Sequence, residues 1–229
     1  MASQLGQDDF VLHALNGMRN GFFLDTGAAD GITSSNTLLL ERDYGWQGIC
    51  VEPNTRLFAA LRHNRQCLCL PDCLDQHAAE VEFVEGANLL GGIRRCYPPM
   101  MWRYVQRLYG QHPQSVRKRT RSIADVLRSS HAPPVIDYWS LDTEGSELAI
   151  LRGFPFDQYR IRVLTVEHNR QPVRAEIEAL LDSHGYRRVR DFGIDDGYLG
   201  PGVNLPQPQH QHQHQHQRAA WRSAARRRA

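Results

Sequence analysis

Four apolar runs of this chain end on a carboxylic acid: "FFLD", "GICVE", "VIDYWSLD" and "IRVLTVE". Each is short enough for a strand, and a helical pattern follows in turn, so the chain reads strand, loop, helix several times over. That alternation predicts an α/β, Rossmann-like fold with a mostly parallel sheet and helices on both faces. In such a sheet ligands sit outside the carboxyl ends of the strands. Asp25, Asp30, Glu52, Asp142, Glu144 and Glu167 all fall at or just after strand ends, so they are expected to face one cleft.

The punctuation fixes the elements. After Phe22–Asp25, the segment from Thr33 to Tyr44 reads as a helix closed by Gly45. "GICVEPN" is a second strand, and Asn54 caps a helix that places Leu57, Phe58 and Leu61 on one face. "QCLCL" and "EVEFVE" follow as strands, whereas the stretch from Gly86 to Arg121 shows no clear period. "RSIADVL" is helical, "SELAILRG" is a short helix stopped by Gly153, and "PVRAEIEALLDSHG" is an amphipathic helix closed by Gly185. "YRRVRDF" is the last run that reads as a strand.

The loop "DTGAADG" sets the ligand class. A dinucleotide fingerprint needs the GxGxxG spacing, so that backbone can close on a pyrophosphate. Here only Gly27 and Gly31 are glycine, and Asp25 and Asp30 would repel phosphate. S-adenosylmethionine carries a sulfonium and an ammonium and no phosphate. It suits the same acids, with Glu52 placed to accept from the ribose hydroxyls.

Composition excludes other classes. The 229 residues are 41% hydrophobic and 23% charged, enough for one domain with a sizeable core. The formal charge of +2 includes five arginines after the "HQHQHQHQ" repeat, and without them the rest stands at −3. No nucleic-acid groove is expected of so neutral a body. No secretory signal and no membrane span is legible, and five cysteines suit a reducing, cytoplasmic setting. Cys67, Cys69 and Cys73 lack the paired spacing of a zinc site and read as small apolar residues in and after a strand. Residues 1–205 are expected to form the domain, and 206–229, first His/Gln and then Arg-rich, to be disordered.

Four blocks in this order, "FLDTGAADG", "CVEPN", "WSLDTEGSELAILRG" and "LTVEHN", resemble the FkbM-like methyltransferases. These are class I enzymes that use S-adenosylmethionine, and many of them methylate hydroxyl groups. The resemblance runs from Gly21 to Asn169 and more weakly to Phe192. It implies a cofactor loop at Asp25, Gly27, Ala28, Asp30 and Gly31, a ribose-binding Glu52, an adenine contact at Asp72 and Cys73, and a functional "DTEG" from Asp142 to Gly145. The family closes its sheet with a further strand, for which "DDGYLGPGVNLPQPQ" offers glycines and proline in place of an apolar run. An incomplete sheet edge is therefore expected.

Two routes can take the proton from a hydroxyl acceptor on a small molecule or glycan. In one, His168 is the general base beside Asp142 and Glu144. In the other, Asp142, Glu167 and Asn169 hold Mg²⁺, which lowers the acceptor's pKa. Glu147 reads as a first-turn helix acid, and the aromatic stretch from Tyr97 to Tyr109 as packing or as a cover for the acceptor. A nucleotide-dependent oxidoreductase and a non-catalytic binding module on the same fold are the competing readings.

Overall fold

A computed structural model of the chain describes residues 3–206. The expected tail falls almost wholly on residues 207–229, which lie outside the described residues. The main sheet has seven strands in the order β3-β2-β1-β7-β8-β10-β9. They are β1 (Phe22–Thr26), β2 (Gln47–Val51), β3 (Leu68–Leu70), β7 (Val135–Leu141), β8 (Arg160–Glu167), β9 (Arg187–Asp191) and β10 (Asp195–Leu199). β1, β2, β3, β7 and β8 run parallel to one another, and β10 runs antiparallel between β8 and β9. This is the mostly parallel, Rossmann-like sheet that the strand–helix alternation predicts. A smaller sheet, β4 (Cys73–Leu74), β6 (Val116–Arg121) and β5 (Glu80–Phe83), stands beside it.

Apolar side chains alternate along the strands, so two cores form, one on each face. On one, Leu24, Trp139 and Leu164 pack against Ile123, Val126 and Leu127 of α5 (Ile123–Ser129) and Ile177 and Leu181 of α7 (Val173–Ser183). On the other, Phe23, Tyr138 and Val163 meet Phe10 and Val11 of α1 (Gln7–Ala14), Leu40 of α2 (Leu38–Tyr44) and Leu61 of α3 (Thr55–Asn64). Asn54 caps α3 as expected, its side chain accepting from Arg56 and Leu57 N–H at 3.1 and 3.2 Å.

The sheet edge is not incomplete. "DDGYL" is β10, buried at every residue. Its acids are partnered from outside the strand: Arg174 of α7 holds Asp196 by two bonds of 2.7 Å, and Gln7 of α1 donates to Asp195 at 2.7 Å. Its glycine makes room, because a Cβ at Gly197 would lie 2.9 Å from the Phe10 ring. A strand whose polar and glycine positions are answered by two distant helices carries no local signature.

The expected helix from Thr33 is also shorter, since α2 begins at Leu38. Ser34 sits at φ 55, outside a right-handed helix, and short polar side chains take the backbone donors instead. Asp30 accepts from Ile32 N–H, Thr33 N–H and Thr33 Oγ1, and Ser35 Oγ accepts from Leu38 N–H. The aromatic stretch forms α4 (Pro99–Tyr109), in which Val105 is the fully buried side chain.

Tyr198 of β10 is 1% exposed and packs with Ile177, Leu181 and Tyr186. Tyr198→Ala should cost about 3 kcal/mol, the scale of emptying a buried aromatic site. Urea denaturation checks this, and a loss below about 1 kcal/mol would mean that β10 is not an integral strand.

Candidate active site

Backbone geometry joins the first loop to the fourth parallel strand. Gly27 follows β1 at φ 90, and a Cβ there would lie 1.5 Å from the carbonyl oxygen of Asp142, just past β7. Asp142 N–H donates to Thr26 carbonyl at 3.0 Å, and Gly27 and Ala28 N–H both donate to the Val51 carbonyl at the end of β2. Three strand ends are thereby drawn together under one cavity of about 350 Å³.

Asp25, Glu52, Asp72, Asp142, Glu144 and Glu167 line this cavity, with Gly27, Ala28 and Cys73. No arginine, lysine or histidine does so among the described residues. The expected acids are thus brought together, with one exception. Asp30 spends its carboxylate on the Ile32–Thr33 turn, and Gly31 packs under Leu61 and Arg65, so both shape the loop from behind without facing the cleft. Asp72 lines the wall while ion-paired to Arg121 at 2.7 Å.

Glu52 is held by Ala29 N–H on one oxygen, at 2.9 Å, and Asn54 N–H on the other, at 2.7 Å. Each oxygen retains a lone pair for a ligand donor. Burial pushes its carboxyl up to about 7. Asp25 accepts from Thr37 Oγ1 at 2.5 Å, and Thr37 accepts from the Arg65 guanidinium at 3.0 Å. Burial raises the Asp25 pKa, against the opposing charge of Arg65.

Sequence reasoning missed Arg65. It is 4% exposed, ion-paired to Glu41, and it reaches the Gly31 carbonyl, Ser35 Oγ and Thr37 Oγ1. One buried guanidinium thus fixes the irregular segment whose Thr33, Ser34, Ser35 and Asn36 line the cavity. Asn36 was missed as well. Its Nδ2 donates to Ser140 Oγ at 3.0 Å, and its buried Oδ1 has no partner.

At the far end, Asp142, Glu144 and Glu167 each place a carboxylate oxygen within 4.8 Å of the other two. Burial, reinforced by the charges of Asp195 and Glu147, pushes the Asp142 carboxyl up to about 8. Burial and the charge of Asp142 likewise raise Glu144 and Glu167 well above the carboxylate range. Asp142 and Glu167 stand close enough that ionising both is disfavoured. Glu144 stands at φ 59 and Asn169 at φ 47, strained positions for side chains, and both face the cavity. Glu147 differs from these acids. It accepts from Thr143 N–H, Thr143 Oγ1 and Gly145 N–H and so pins the "DTEG" turn.

Two expectations change here. His168 is 4% exposed and outside the cavity that Asp142 lines. Its Nδ1 accepts from Arg170 N–H at 3.0 Å, so the ring proton sits on Nε2, 3.6 Å from Asp196. No lone pair is left for an acceptor hydroxyl, and burial lowers its pKa further. The hard-oxygen set also gains a member, because Glu144 brings a carboxylate oxygen within 4.8 Å of those of Asp142 and Glu167, with Asn169 lining the same cavity.

The raised carboxyls tie stability to pH with a definite sign. A group whose pKa is higher folded than unfolded stabilises the fold fully below its unfolded pKa and stops doing so as pH rises through its folded pKa. The melting temperature should therefore fall between about pH 5 and about pH 9, and Glu167→Gln should flatten the fall. Scanning calorimetry across that range checks it, and a melting temperature that rises with pH contradicts it.

The chain matches the model of the methyltransferase FkbM domain over residues 25–188. No curated protein matches it. Among solved structures, a putative RNA methyltransferase from Pyrococcus horikoshii is 12% identical, with 86% of this chain and 82% of that one covered and a TM-score of 0.44. An RNA methyltransferase from Salinibacter ruber, in complex with S-adenosyl-L-homocysteine, is 14% identical over 91% and 98% of the chains, with a TM-score of 0.42. A precorrin-6y C5,15-methyltransferase from Geobacter metallireducens is 10% identical over 84% and 85%, with a TM-score of 0.41. The family match takes in the Gly27 turn, Glu52, the "DTEG" block and β8, the elements that build the cavity, and the chain belongs to the FkbM methyltransferase domain family.

Proposed function

We propose that the protein transfers a methyl group from S-adenosylmethionine to a hydroxyl of a small molecule or glycan. The observation that carries the reading is a cavity of about 350 Å³ lined by six carboxylates and by no cationic side chain among the described residues. A nucleotide's phosphate would find no cationic side chain there among the described residues, which speaks against an oxidoreductase. A cationic nucleoside finds the Glu52 lone pairs for its ribose, Asp72, Cys73 and Phe83 around its base, and Asp25 and Asn36 Oδ1 for its ammonium.

The donor supplies an electrophilic methyl on a sulfonium. The chain's own contribution is placement and proton removal. Placing the acceptor oxygen about 3 Å from the methyl carbon in a dry pocket supplies much of the acceleration. An Asp142 carboxyl near pH 8 is a far stronger base than an ordinary aspartate, so it can take the hydroxyl proton as the oxygen attacks. Burial and the charges of Asp195 and Glu147 keep it there.

Mg²⁺ is a second reading, favoured by the spacing of the triad. Asp142, Glu144 and Glu167 would hold it through hard oxygens, and it would acidify the acceptor hydroxyl. Chelation then abolishes turnover and leaves cofactor binding intact.

Four measurements test the proposal. Glu52→Ala should weaken S-adenosylmethionine and its demethylated product by about tenfold, the cost of unpaired buried ribose hydroxyls, read by calorimetry; unchanged affinity would remove Glu52 from the site. Asp142→Asn should lower kcat by at least about a hundredfold with cofactor affinity retained. In the wild type kcat should rise with pH through about 8, with or without chelator. Near-normal turnover in Asp142→Asn under both conditions would leave "DTEG" a helix start and nothing more. Labelled donor incubated with small-molecule, glycan and RNA fractions assigns the acceptor, and label in RNA alone would overturn the small-molecule reading.

A further inference from the structure

A second cavity, of about 400 Å³, adjoins the first and shares Met101, Glu144, Glu167 and Asn169 with it. Its outer walls are apolar: Pro98 and Pro99 at the start of α4, Met101, and Pro172 and Val173 at the start of α7. Its inner wall carries Glu144, Glu147 and Glu167, with His168 and Asn169 beside them. Among the described residues Glu144 Oε2, Glu167 Oε2 and His168 Nε2 are buried without a hydrogen-bond partner, and Glu167 as a whole is 5% exposed. Neither glutamate takes part in an ion pair among the described residues, whereas the nearby Glu147 is fully occupied by backbone and hydroxyl donors.

From this we infer that the second cavity seats the acceptor and that the acceptor carries an ammonium group beside the hydroxyl to be methylated. The inference rests on the methyl-transfer reading and adds the substrate class to it. The unpartnered glutamate oxygens call for a donor, and a protonated amine brings three N–H bonds and the missing charge, while His168 Nε2–H on the same wall can donate to a ligand oxygen. The apolar walls call for a hydrocarbon body on that amine. A bare or hydrated metal ion would leave a space of this size and character unused. The three carboxylate oxygens lie within 4.8 Å of one another. An ammonium on Glu144 and Glu167 therefore puts a hydroxyl on a neighbouring carbon within reach of Asp142, the arrangement of a vicinal amino alcohol such as an amino sugar. The ammonium is an anchor and the hydroxyl oxygen is the nucleophile.

The test uses the full chain saturated with S-adenosyl-L-homocysteine and titrated with hexylamine, hexanol, hexanoate and MgCl₂ at neutral pH, read by calorimetry. Hexylamine should bind at least tenfold more tightly than hexanol, and hexanoate should not bind. Glu167→Gln should remove that preference for the amine. Val173→Trp, which fills the cavity far from the cofactor, should abolish amine binding and leave S-adenosyl-L-homocysteine affinity unchanged. Equal affinity for amine and alcohol, an amine preference that survives Glu167→Gln, or Mg²⁺ binding in place of the amine each overturn the inference. Failure of S-adenosyl-L-homocysteine itself to bind would instead overturn the methyl-transfer reading, so the two are separable.

Discussion

The close approach of Gly27 to the Asp142 carbonyl is the contact on which the site depends. Two parallel strands end side by side, and the loops beyond them normally diverge to make room for side chains. Here the first loop turns at φ 90 directly against the second, a path no Cβ permits. The turn delivers Asp25, Glu52 and Asp142 to one cavity, although they come from three different strands. Glycine is required by both conditions at once, the left-handed dihedral and the missing volume.

That turn needs support, because the segment after it is not helical. Arg65 supplies it from the end of α3, with its charge offset by Glu41 and, through Thr37, by Asp25. A lone buried guanidinium would be costly, and a lone buried Asp25 would be too. Linked through one hydroxyl, they hold the "GITSSN" segment in a single conformation, and the groups that face the cavity from it are small and polar. The support is hydrogen-bonded, so its geometry is specific in a way that apolar packing under a loop would not be.

The strands and their acids were legible in the sequence because both are local. An apolar run ending on Asp or Glu needs no knowledge of its partners, and Asp25, Glu52, Asp142, Glu144 and Glu167 all arrive where that logic sends them. What could not be read depends on distant partners. β10 looks too polar and too rich in glycine until Arg174, Gln7 and Phe10 are set beside it. Arg65 follows a helix in "RHNRQ" with nothing to mark it as buried. His168 fails for a related reason: its proximity in sequence to Glu167 says nothing of the Arg170 N–H, two residues on, that takes its lone pair. Asp30 looks like a member of the acidic set by position, yet the turn it begins consumes its carboxylate first.

Carboxylates left without cations are the opposite of what folding alone would select. Burying charge unpaired disfavours the folded state, and the protein responds by holding protons in the triad, whose three carboxyls are all raised. Those protons make the site an unfilled one in the electrostatic sense, and a cationic ligand that displaces them removes the penalty as it binds. The same protons set the order of events. Asp142 is a base only once its proton has gone, and in a site this crowded with acids that departure is easiest when positive charge has already entered. Binding and activation of the base are then one electrostatic step, with the acidic wall supplying the coupling.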